Sequence, residues 1–258
     1  MKIVIAPDRA ELGHFTAQRA AETLRDALAS RDECNLVIAT GSSQFEVLDS
    51  LTQQPDIDWS RVNGFHLDEY LGIGRDHAAS FSGYLASRFV DRLPLKSFYY
   101  LDGLLPPETL QANAEQMLQG RQIDLLLCGI GENGHLAFND PPADFSAKAC
   151  YHLVDLDEAC RRQQVGEGWF DSLESVPTRA ISMTVSQILR ADKIYCSVPD
   201  RRKAEAVKAS IESEISPNCP ATALRQHQDV TLVLDEPSAS LLSDDVRAGC
   251  RHTDAPLA

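Results

Sequence analysis

The stretch Ile123–Pro142, which reads IDLLLCGIGENGHLAFNDPP, decides the fold class of this chain. Its first part, Ile123–Cys128, is a near-continuous apolar run, which is typical of a parallel strand buried on both faces. A loop with three glycines follows, in which the main chain can approach a small molecule closely: Gly129, Gly131 and Gly134. The stretch therefore predicts a binding loop at the carboxyl end of a buried strand.

Polar side chains with useful chemistry stand in the same loop. They supply amides, an imidazole and a carboxylate, and are Asn133, His135, Asn139 and Asp140. Because their neighbours are small or apolar, a titratable group among them is partly desolvated and directed at whatever the loop holds. The loop is therefore a candidate catalytic site.

Strand and helix patterns alternate along the rest of the chain. The predicted strands cover residues 2–6, 35–40, 62–67, 97–101, 123–128, 179–183, 193–198 and 230–234, and the predicted helices cover 12–30, 44–51, 80–88, 106–120, 201–213 and 238–242. This order predicts the α/β class: a single three-layer αβα domain over residues 1–248, with a mainly parallel, Rossmann-like sheet. The polar segment at about 150–177 is predicted to be a mobile lid, and residues 249–258 a frayed tail.

Composition excludes several classes of function. A net charge of −14 argues against a nucleic-acid partner, since such binding depends on clustered Lys and Arg. No apolar run approaches the roughly 20 residues of a membrane span, and residues 1–6 are too short for a signal peptide. Seven cysteines without a CxxC pair indicate reduced thiols and a cytoplasmic protein. HExxH, clustered Cys/His and EF-hand patterns do not occur, so no metal site is predicted.

Two segments are candidate anion sites. Gly41, Ser42 and Ser43 end a predicted strand and begin a helix, where backbone N–H groups and hydroxyls can bind a phosphate. Plain helix capping by either serine is the alternative. Lys203 follows two arginines at the start of another helix, which is the unfavourable end of the helix dipole for a cation. A bound anion explains that positive charge better than a solvated helix face.

Asp68 and Glu69 fall at or just beyond the end of the predicted strand 62–67, at the edge where ligands bind in open α/β sheets. Asp68 is therefore a candidate acid or base, with a loop carboxylate or helix cap as the alternative. His66 and His77 are predicted to be structural or solvated, because nothing near them has the spacing of metal ligands.

Four motifs occur together along the chain. They are ATGSS at residues 39–43, FHLDEY at 65–70, the GIGENGHLAFNDP stretch, and Lys203-Ala204 after a late strand. In their order and spacing the chain resembles the glucosamine-6-phosphate deaminase (isomerase) family and, more broadly, the superfamily that it forms with the 6-phosphogluconolactonases. The resemblance covers nearly the whole chain, and DEY followed at a distance by NGHxxFN is a specific combination.

The resemblance implies conversion of an aldose 2-amino sugar phosphate, with water, into a ketose phosphate and ammonia, without a metal or organic cofactor. It assigns opening of the sugar ring to His135, which Asp140 and Asn133 orient. It assigns proton transfer between neighbouring carbons to Asp68. The implied substrate-binding residues are Gly41, Ser42, Ser43, Gly129 and Lys203.

The first departures from the family pattern concern the two residues that orient His135. Asn133 and Asp140 stand where members often carry Asp and Glu. Asn133 cannot carry a negative charge, so a fully charged relay to His135 is not available. Asp140 is one methylene shorter than Glu, so the backbone has to make up its reach to the ring.

A second group of departures concerns the lid. The family's arginine that grips the phosphate is missing, because the matching segment reads GEGWF at residues 166–170. Either Arg161 or Arg162 replaces it, or these two form a solvated basic pair. Thr184 and Ser186 stand where many members have glycine, which predicts a narrower site. Together these departures make another amino-sugar phosphate an alternative substrate.

Two further alternatives belong to other functional classes. A 6-phosphogluconolactonase is disfavoured by the FNDP and DEY motifs, which its pattern lacks. A non-catalytic sugar-phosphate sensor is disfavoured because the chain begins with its first strand, where related regulators carry a helix-turn-helix module. The expected partner is a small-molecule amino-sugar phosphate. A homo-oligomer is compatible with the resemblance, but no stretch identifies an interface.

Overall fold

Strands and helices alternate through residues 1–253, the part of the chain that the computed structural model describes. In chain order the strands are β1 (Lys2–Ala6), β2 (Cys34–Ile38), β3 (Val62–His66), β4 (Asp68–Tyr70), β5 (Ser97–Tyr99), β6 (Leu125–Cys128), β7 (Tyr151–Asp155), β8 (Arg179–Met183), β9 (Lys193–Val198), β10 (Val230–Asp235) and β11 (Arg251–His252). The α-helices are α1 (Arg9–Ser30), α2 (Phe45–Leu51), α3 (Phe81–Arg88), α4 (Pro107–Leu118), α5 (Glu158–Gly166), α6 (Val185–Ile188), α7 (Ala204–Glu212) and α8 (Asp244–Ala248).

An eight-stranded sheet forms the centre of the fold, in the order β11-β1-β10-β9-β6-β2-β3-β5. Every neighbouring pair in it is parallel. The strand that the apolar run predicted, β6, lies near the middle, and all of its residues are buried. Burial on both faces is what such a run requires. The predicted α/β class and mainly parallel sheet are confirmed.

Two apolar cores lie on opposite faces of this sheet, and neighbouring strand residues alternate between them. In β2, Val37 belongs to the core that α4 and α7 cover, whereas Leu36 and Ile38 belong to the core beneath α1, α2 and α3. The helix α1 begins at Arg9 because the Asp8 side chain accepts a hydrogen bond from the backbone N–H of the first turn. The three layers are therefore helices, sheet and helices, as predicted.

A second, antiparallel sheet has the order β4-β8-β7. The chain passes from the central sheet into it at Leu67, since β3 ends at His66 and β4 begins at Asp68. The Leu67 carbonyl accepts a 2.7 Å hydrogen bond from the N–H of Met183 in β8. This sheet was not predicted, because β4 is too short for an alternating pattern to reveal it. Its presence means that Asp68 is held by strand pairing instead of standing in a loop.

The buried carboxylate of Glu69 fastens β4 to the start of α3. It accepts hydrogen bonds from the Ser80 hydroxyl and from the N–H groups of Phe81 and Ser82, at 2.8–3.1 Å. Burial raises the pKa of this carboxyl, and the hydrogen bonds oppose the rise. Several donors to one carboxylate make its burial tolerable. The position of the neighbouring Asp68 is fixed relative to α3 as a result.

The C-terminal part differs from the prediction in two places. Residues 238–242 form turns, and a helix begins only at α8, because the side chains of Asp235 and Ser238 bond each other's backbone N–H groups in competition with helical bonds. The predicted frayed tail contains β11, which pairs with Val4 and Ile5 of β1. Residues 254–258 of that predicted tail lie outside the described residues.

The predicted lid is largely regular structure: its start is β7, a strand of the antiparallel sheet, and its middle is α5. Its mobility stays a prediction.

His66 is buried and its Nε2 accepts a hydrogen bond from the Leu101 N–H at 2.8 Å. Burial lowers the pKa of His66 to about 3, and His77 is exposed, so both are structural or solvated. The cysteines are all free thiols. Within residues 1–253, every helix is too short or too polar to cross a bilayer.

Candidate active site

A cavity of about 90 Å³ lies where the central strands β2, β3 and β6 end. Most of the predicted site residues line it: Gly41, Ser42, Ser43, Asp68, Gly129, His135 and Lys203. The other two, Asn133 and Asp140, do not line the cavity and contact His135 instead. The fold therefore brings together residues from four separate motifs.

The loop after β6 owes its shape to one turn and one amide. Gly134 adopts a φ of +85°, which favours glycine, and its N–H bonds the Gly131 carbonyl at 3.0 Å. The Asn139 side chain ties the loop to β8 by donating to the carbonyls of Leu136 and Met183, at 2.7 and 2.8 Å. Asn139 is buried and does not line the cavity. This member of the predicted polar cluster is therefore structural.

His135 presents its imidazole to the cavity and has an acidic partner behind it. Its Nδ1 lies 3.1 Å from Oδ1 of Asp140, so the shorter carboxylate reaches the ring. The Asn133 side chain donates to the same Asp140 oxygen at 3.1 Å and accepts from the His135 backbone N–H at 3.0 Å. Asn133 therefore orients the ring indirectly, through Asp140 and the main chain.

Asp140 is placed to remain a carboxylate. Burial acts to raise the pKa of its carboxyl, but the His135 ring and the Asn133 amide outweigh burial and hold the pKa below its ordinary value. A carboxylate at Nδ1 selects the tautomer in which Nδ1 carries the proton and Nε2 can accept one. It also stabilises the imidazolium that then forms. His135 is thus equipped for acid–base chemistry.

Asp68 lines the same cavity and is 6% exposed. Burial raises the pKa of its carboxyl well above the ordinary value, and the charge of the neighbouring Glu69 adds to the rise. A carboxylate with a raised pKa is a stronger base near neutral pH. Pairing with Ser182 of β8 fixes its backbone. Asp68 can therefore take up and return a proton inside the cavity.

The turn Gly41–Ser43 and the Lys203 side chain form what we call the anion subsite. Gly41 has a φ of +92° and lets the chain turn from β2 towards α2. Gly129 borders this turn so closely that a Cβ there would lie 2.8 Å from Oγ of Ser43. Lys203 is 7% exposed, and burial lowers the pKa of its amino group. Hydroxyls, backbone N–H groups and one cation can therefore meet an anionic ligand here.

Neither Arg161 nor Arg162 lines the cavity, so the structure does not support the interpretation in which one of them replaces the lid arginine. Arg161 donates to the carbonyls of Leu173 and Val176, which fixes the segment after α5. Arg162 is exposed and pairs with Glu158 one turn earlier in the helix. The helical period explains the outcome, because both arginines lie on the faces of α5 turned away from the cavity.

The residues in and just after α5 that do line the cavity were missed. They are Gln163 and Gln164 in the helix and Glu167, which follows its last residue. With the buried Cys160 they stand at i, i+3, i+4 and i+7, which is the spacing of one helix face. That spacing is the sequence signal that would have found them. Gln163 also joins the helix to the site loop, since its Oε1 accepts from the Glu132 N–H at 3.2 Å.

The predicted narrowing by Thr184 and Ser186 is wrong, because neither lines the cavity. The Thr184 hydroxyl donates to the Ala149 carbonyl at 2.8 Å and also caps α6. Ser186 donates to the carbonyl of Ala147. Both hydroxyls hold the chain segment that precedes β7.

One group of side chains in the described residues has the composition of a metal site. The ligand atoms of His135, Asp140 and Cys160 lie within 4.8 Å of one another. His135 and Asp140 are already paired with each other. Burial raises the pKa of the Cys160 thiol. Because the thiolate is the form that binds metal, a pair of His135 with Asp140 fits these residues better than a metal site.

Known proteins resemble this chain over almost its whole length. The family described as glucosamine-6-phosphate isomerases/6-phosphogluconolactonase matches residues 7–233. The glucosamine-6-phosphate deaminase of Exiguobacterium sibiricum is 35% identical over 96% of this chain and 95% of its own length. That of Oenococcus oeni is 32% identical over 94% of this chain and 99% of its own.

Solved structures agree with these sequence matches. A monomeric glucosamine-6-phosphate deaminase superposes with a TM-score of 0.85 at 30% identity, over 93% of this chain and 100% of that one. A 6-phosphogluconolactonase from Shewanella baltica superposes with a TM-score of 0.76 at 20% identity, over 91% of this chain and 97% of that one. The second match shows a shared fold.

Proposed function

Because the chain belongs to the family of glucosamine-6-phosphate isomerases and 6-phosphogluconolactonases, we propose that it converts glucosamine 6-phosphate and water into fructose 6-phosphate and ammonia. The observation that carries the proposal is that Asp68 and His135 line one cavity, with Asp140 behind the imidazole. The reaction moves protons at two places on the sugar, and the site holds two groups suited to that work. The proposed steps use these side chains and water alone.

The first step opens the sugar ring. His135 takes the proton of the anomeric hydroxyl and delivers it to the ring oxygen, which gives the open-chain aldehyde. An imidazole suits this exchange because it can accept and donate a proton near neutral pH. The Asp140 carboxylate stabilises the positive charge that His135 carries between the two transfers.

The second step moves a proton from C2 to C1. The Asp68 carboxylate removes the C2 proton while the substrate's ammonium group at C2 gives a proton to the aldehyde oxygen, which gives a neutral enolamine. Asp68 then returns its proton to C1, so that C1 becomes an alcohol and C2 a protonated imine. Water adds to the imine carbon and ammonia leaves, which gives the ketose.

The anion subsite accounts for the phosphate. Backbone N–H groups at Gly41–Ser43 and the Lys203 ammonium would bind its oxygens. A cytoplasmic location remains a prediction from the sequence.

The alternative functions differ in how many of the site's reactive groups they require. Galactosamine 6-phosphate would need the same groups in the same roles. Lactone hydrolysis takes place at C1 and leaves the C2 hydrogen in place, so it gives the buried Asp68 no proton to move between carbons. A non-catalytic sensor leaves both Asp68 and the pair of His135 with Asp140 unexplained.

The direct test is ammonia release from the pure protein at neutral pH with a chelator present. We expect release from glucosamine 6-phosphate, with galactosamine 6-phosphate and 6-phosphogluconolactone assayed in parallel. Activity on the galacto epimer alone would keep the mechanism and change the substrate. Lactone hydrolysis alone, or no reaction with any of the three, would refute the proposal, and the latter would favour the sensor.

Gly131→Ala tests the placement of the imidazole. A Cβ at residue 131 would lie 2.3 Å from Cε1 and Nε2 of His135, so the ring must move. We expect kcat to fall about 100-fold, the order of loss caused by misplacing a catalytic group by about 1 Å. Circular dichroism should show an unchanged fold. The control is Gly249→Ala, where the nearest atom to the new Cβ is 3.5 Å away. Equal kcat in both variants would contradict the placement.

A further inference from the structure

Glu167 holds a carboxylate against the anion subsite. Its Oε1 lies 3.9 Å from Nζ of Lys203, and its side chain is 7% exposed. Gln163 Nε2 donates to Oε1 at 2.8 Å, and the Trp169 indole N–H donates to Oε2 at 3.2 Å. The protein thus supplies this carboxylate with a cation and two donors, which are partners that a bound anion would also require.

Other charges near the subsite do not offset Glu167. Within the described residues, Lys203 is the only lysine or arginine that lines the cavity. The adjacent Arg202 is about half exposed and lies 2.9 Å from Asp200 and 3.9 Å from Glu132. Arg9 donates to the Ser42 carbonyl of the subsite and is itself paired with Glu46 at 2.7 Å. Lys203 therefore supplies the positive charge that faces the cavity, and the carboxylate of Glu167 lies against it.

From this arrangement, and resting on the proposed function, we infer that Glu167 is a specificity-determining residue. It competes with the substrate's phosphate for Lys203 and leaves the anion subsite before the phosphate binds. A carboxylate and a phosphate that share one ammonium lie within a few ångströms of each other, and in a partly dehydrated site like charges at that distance repel strongly. The phosphate therefore binds more weakly than Lys203 alone would allow.

The chain around Glu167 leaves room for this displacement. Glu167 stands between Gly166 and Gly168 at the end of α5, and Gly168 has a φ of +81°. A Cβ at either glycine would meet no atom within 4 Å. The two glycines therefore leave open space beside the backbone on either side of Glu167, into which the chain can shift as the carboxylate moves away from Lys203.

Glu167→Gln is the deciding variant, because it removes the charge and keeps the size of the side chain. We expect KM for glucosamine 6-phosphate and the inhibition constant of inorganic phosphate to fall about tenfold, with kcat changed by less than about twofold. KM for glucosamine, which has a neutral hydroxyl at C6, should not change. The matched control is Glu158→Gln, which makes the same change at an exposed position of α5 outside the cavity, and we expect it to alter none of these constants.

An unchanged or raised KM and phosphate inhibition constant in Glu167→Gln would overturn the inference. Wild-type preference for glucosamine over its 6-phosphate would also overturn it, because Glu167 would then be the permanent partner of Lys203. Calorimetry with inorganic phosphate separates this inference from the proposed activity. Tighter phosphate binding by Glu167→Gln without ammonia release from any variant would support the inference and refute the deaminase. Ammonia release with unchanged phosphate affinity would do the reverse.

Discussion

Asp68→Asn is expected to abolish exchange of the C2 hydrogen with solvent and to lower kcat by about 10³–10⁴-fold. The amide cannot accept the C2 proton, and the cavity lining offers no other carboxylate except Glu167 at the anion subsite. Proton NMR of glucosamine 6-phosphate in deuterated water measures the exchange, and ammonia release measures turnover. Binding of the sugar phosphate should be largely retained. Exchange at the normal rate in the variant would remove Asp68 as the base.

The same variant should be more stable than the wild type at neutral pH, which separates lost chemistry from lost folding. Burial raises the pKa of Asp68 in the folded state, so the folded protein binds that proton more tightly than the unfolded chain. Ionising the buried carboxyl therefore lowers the free energy of unfolding of the wild type. This loss is absent below the unfolded-state pKa of about 3.9 and grows as the pH rises towards the folded-state pKa. Asparagine carries no such cost.

Denaturant unfolding measures this difference. The free energy of unfolding of Asp68→Asn should match that of the wild type near pH 4 and exceed it by at least about 1 kcal/mol near pH 8. Asp91→Asn, at an exposed position, is the control and should follow the wild type at both pH values. A less stable Asp68→Asn at pH 8 would contradict the assigned burial cost.

His135→Gln is expected to slow turnover of the closed-ring substrate by about 10²–10³-fold, the range for loss of a positioned general acid–base. An open-chain analogue, which needs no ring opening, should lose much less. The carboxylate of Asp140 remains behind the glutamine, so the variant removes the proton carrier and leaves its partner in place. Steady-state kinetics on both substrates give the comparison.

The exposed His77 provides the control for this variant, since His77→Gln makes the same substitution outside the cavity lining. It should leave both substrates unaffected. Equal losses on the closed-ring and open-chain compounds in His135→Gln would argue against a role in ring opening and would place His135 in a later step.

The central sheet and its binding loop could be predicted because their signals are local. The apolar run of β6 specifies a strand buried on both faces, and the glycines after it specify a loop. Asp68 could be placed at the sheet edge for a similar reason, since strand ends of a parallel sheet meet there. These signals need no knowledge of distant partners.

Features that depend on distant partners could not be predicted in the same way. The antiparallel sheet exists because β4 finds β8 more than a hundred residues later, and β11 is a strand only because β1 has a free edge. In the lid, the side chains that face the cavity could not be predicted for the same reason. Their positive charge made Arg161 and Arg162 the candidates for binding the phosphate. The helical period instead places Glu167 in the cavity.

The single residue between β3 and β4 has a mechanical consequence. Leu67 is buried and its carbonyl is bonded to β8, so there is no slack in the chain between His66 and Asp68. The strand β7, which begins the lid, pairs with β8, which follows it, and β8 pairs in turn with β4. Any tilt of that sheet relative to the central one therefore moves Asp68 and the lid together. A connection without slack thus couples the position of the proton acceptor to that of the lid.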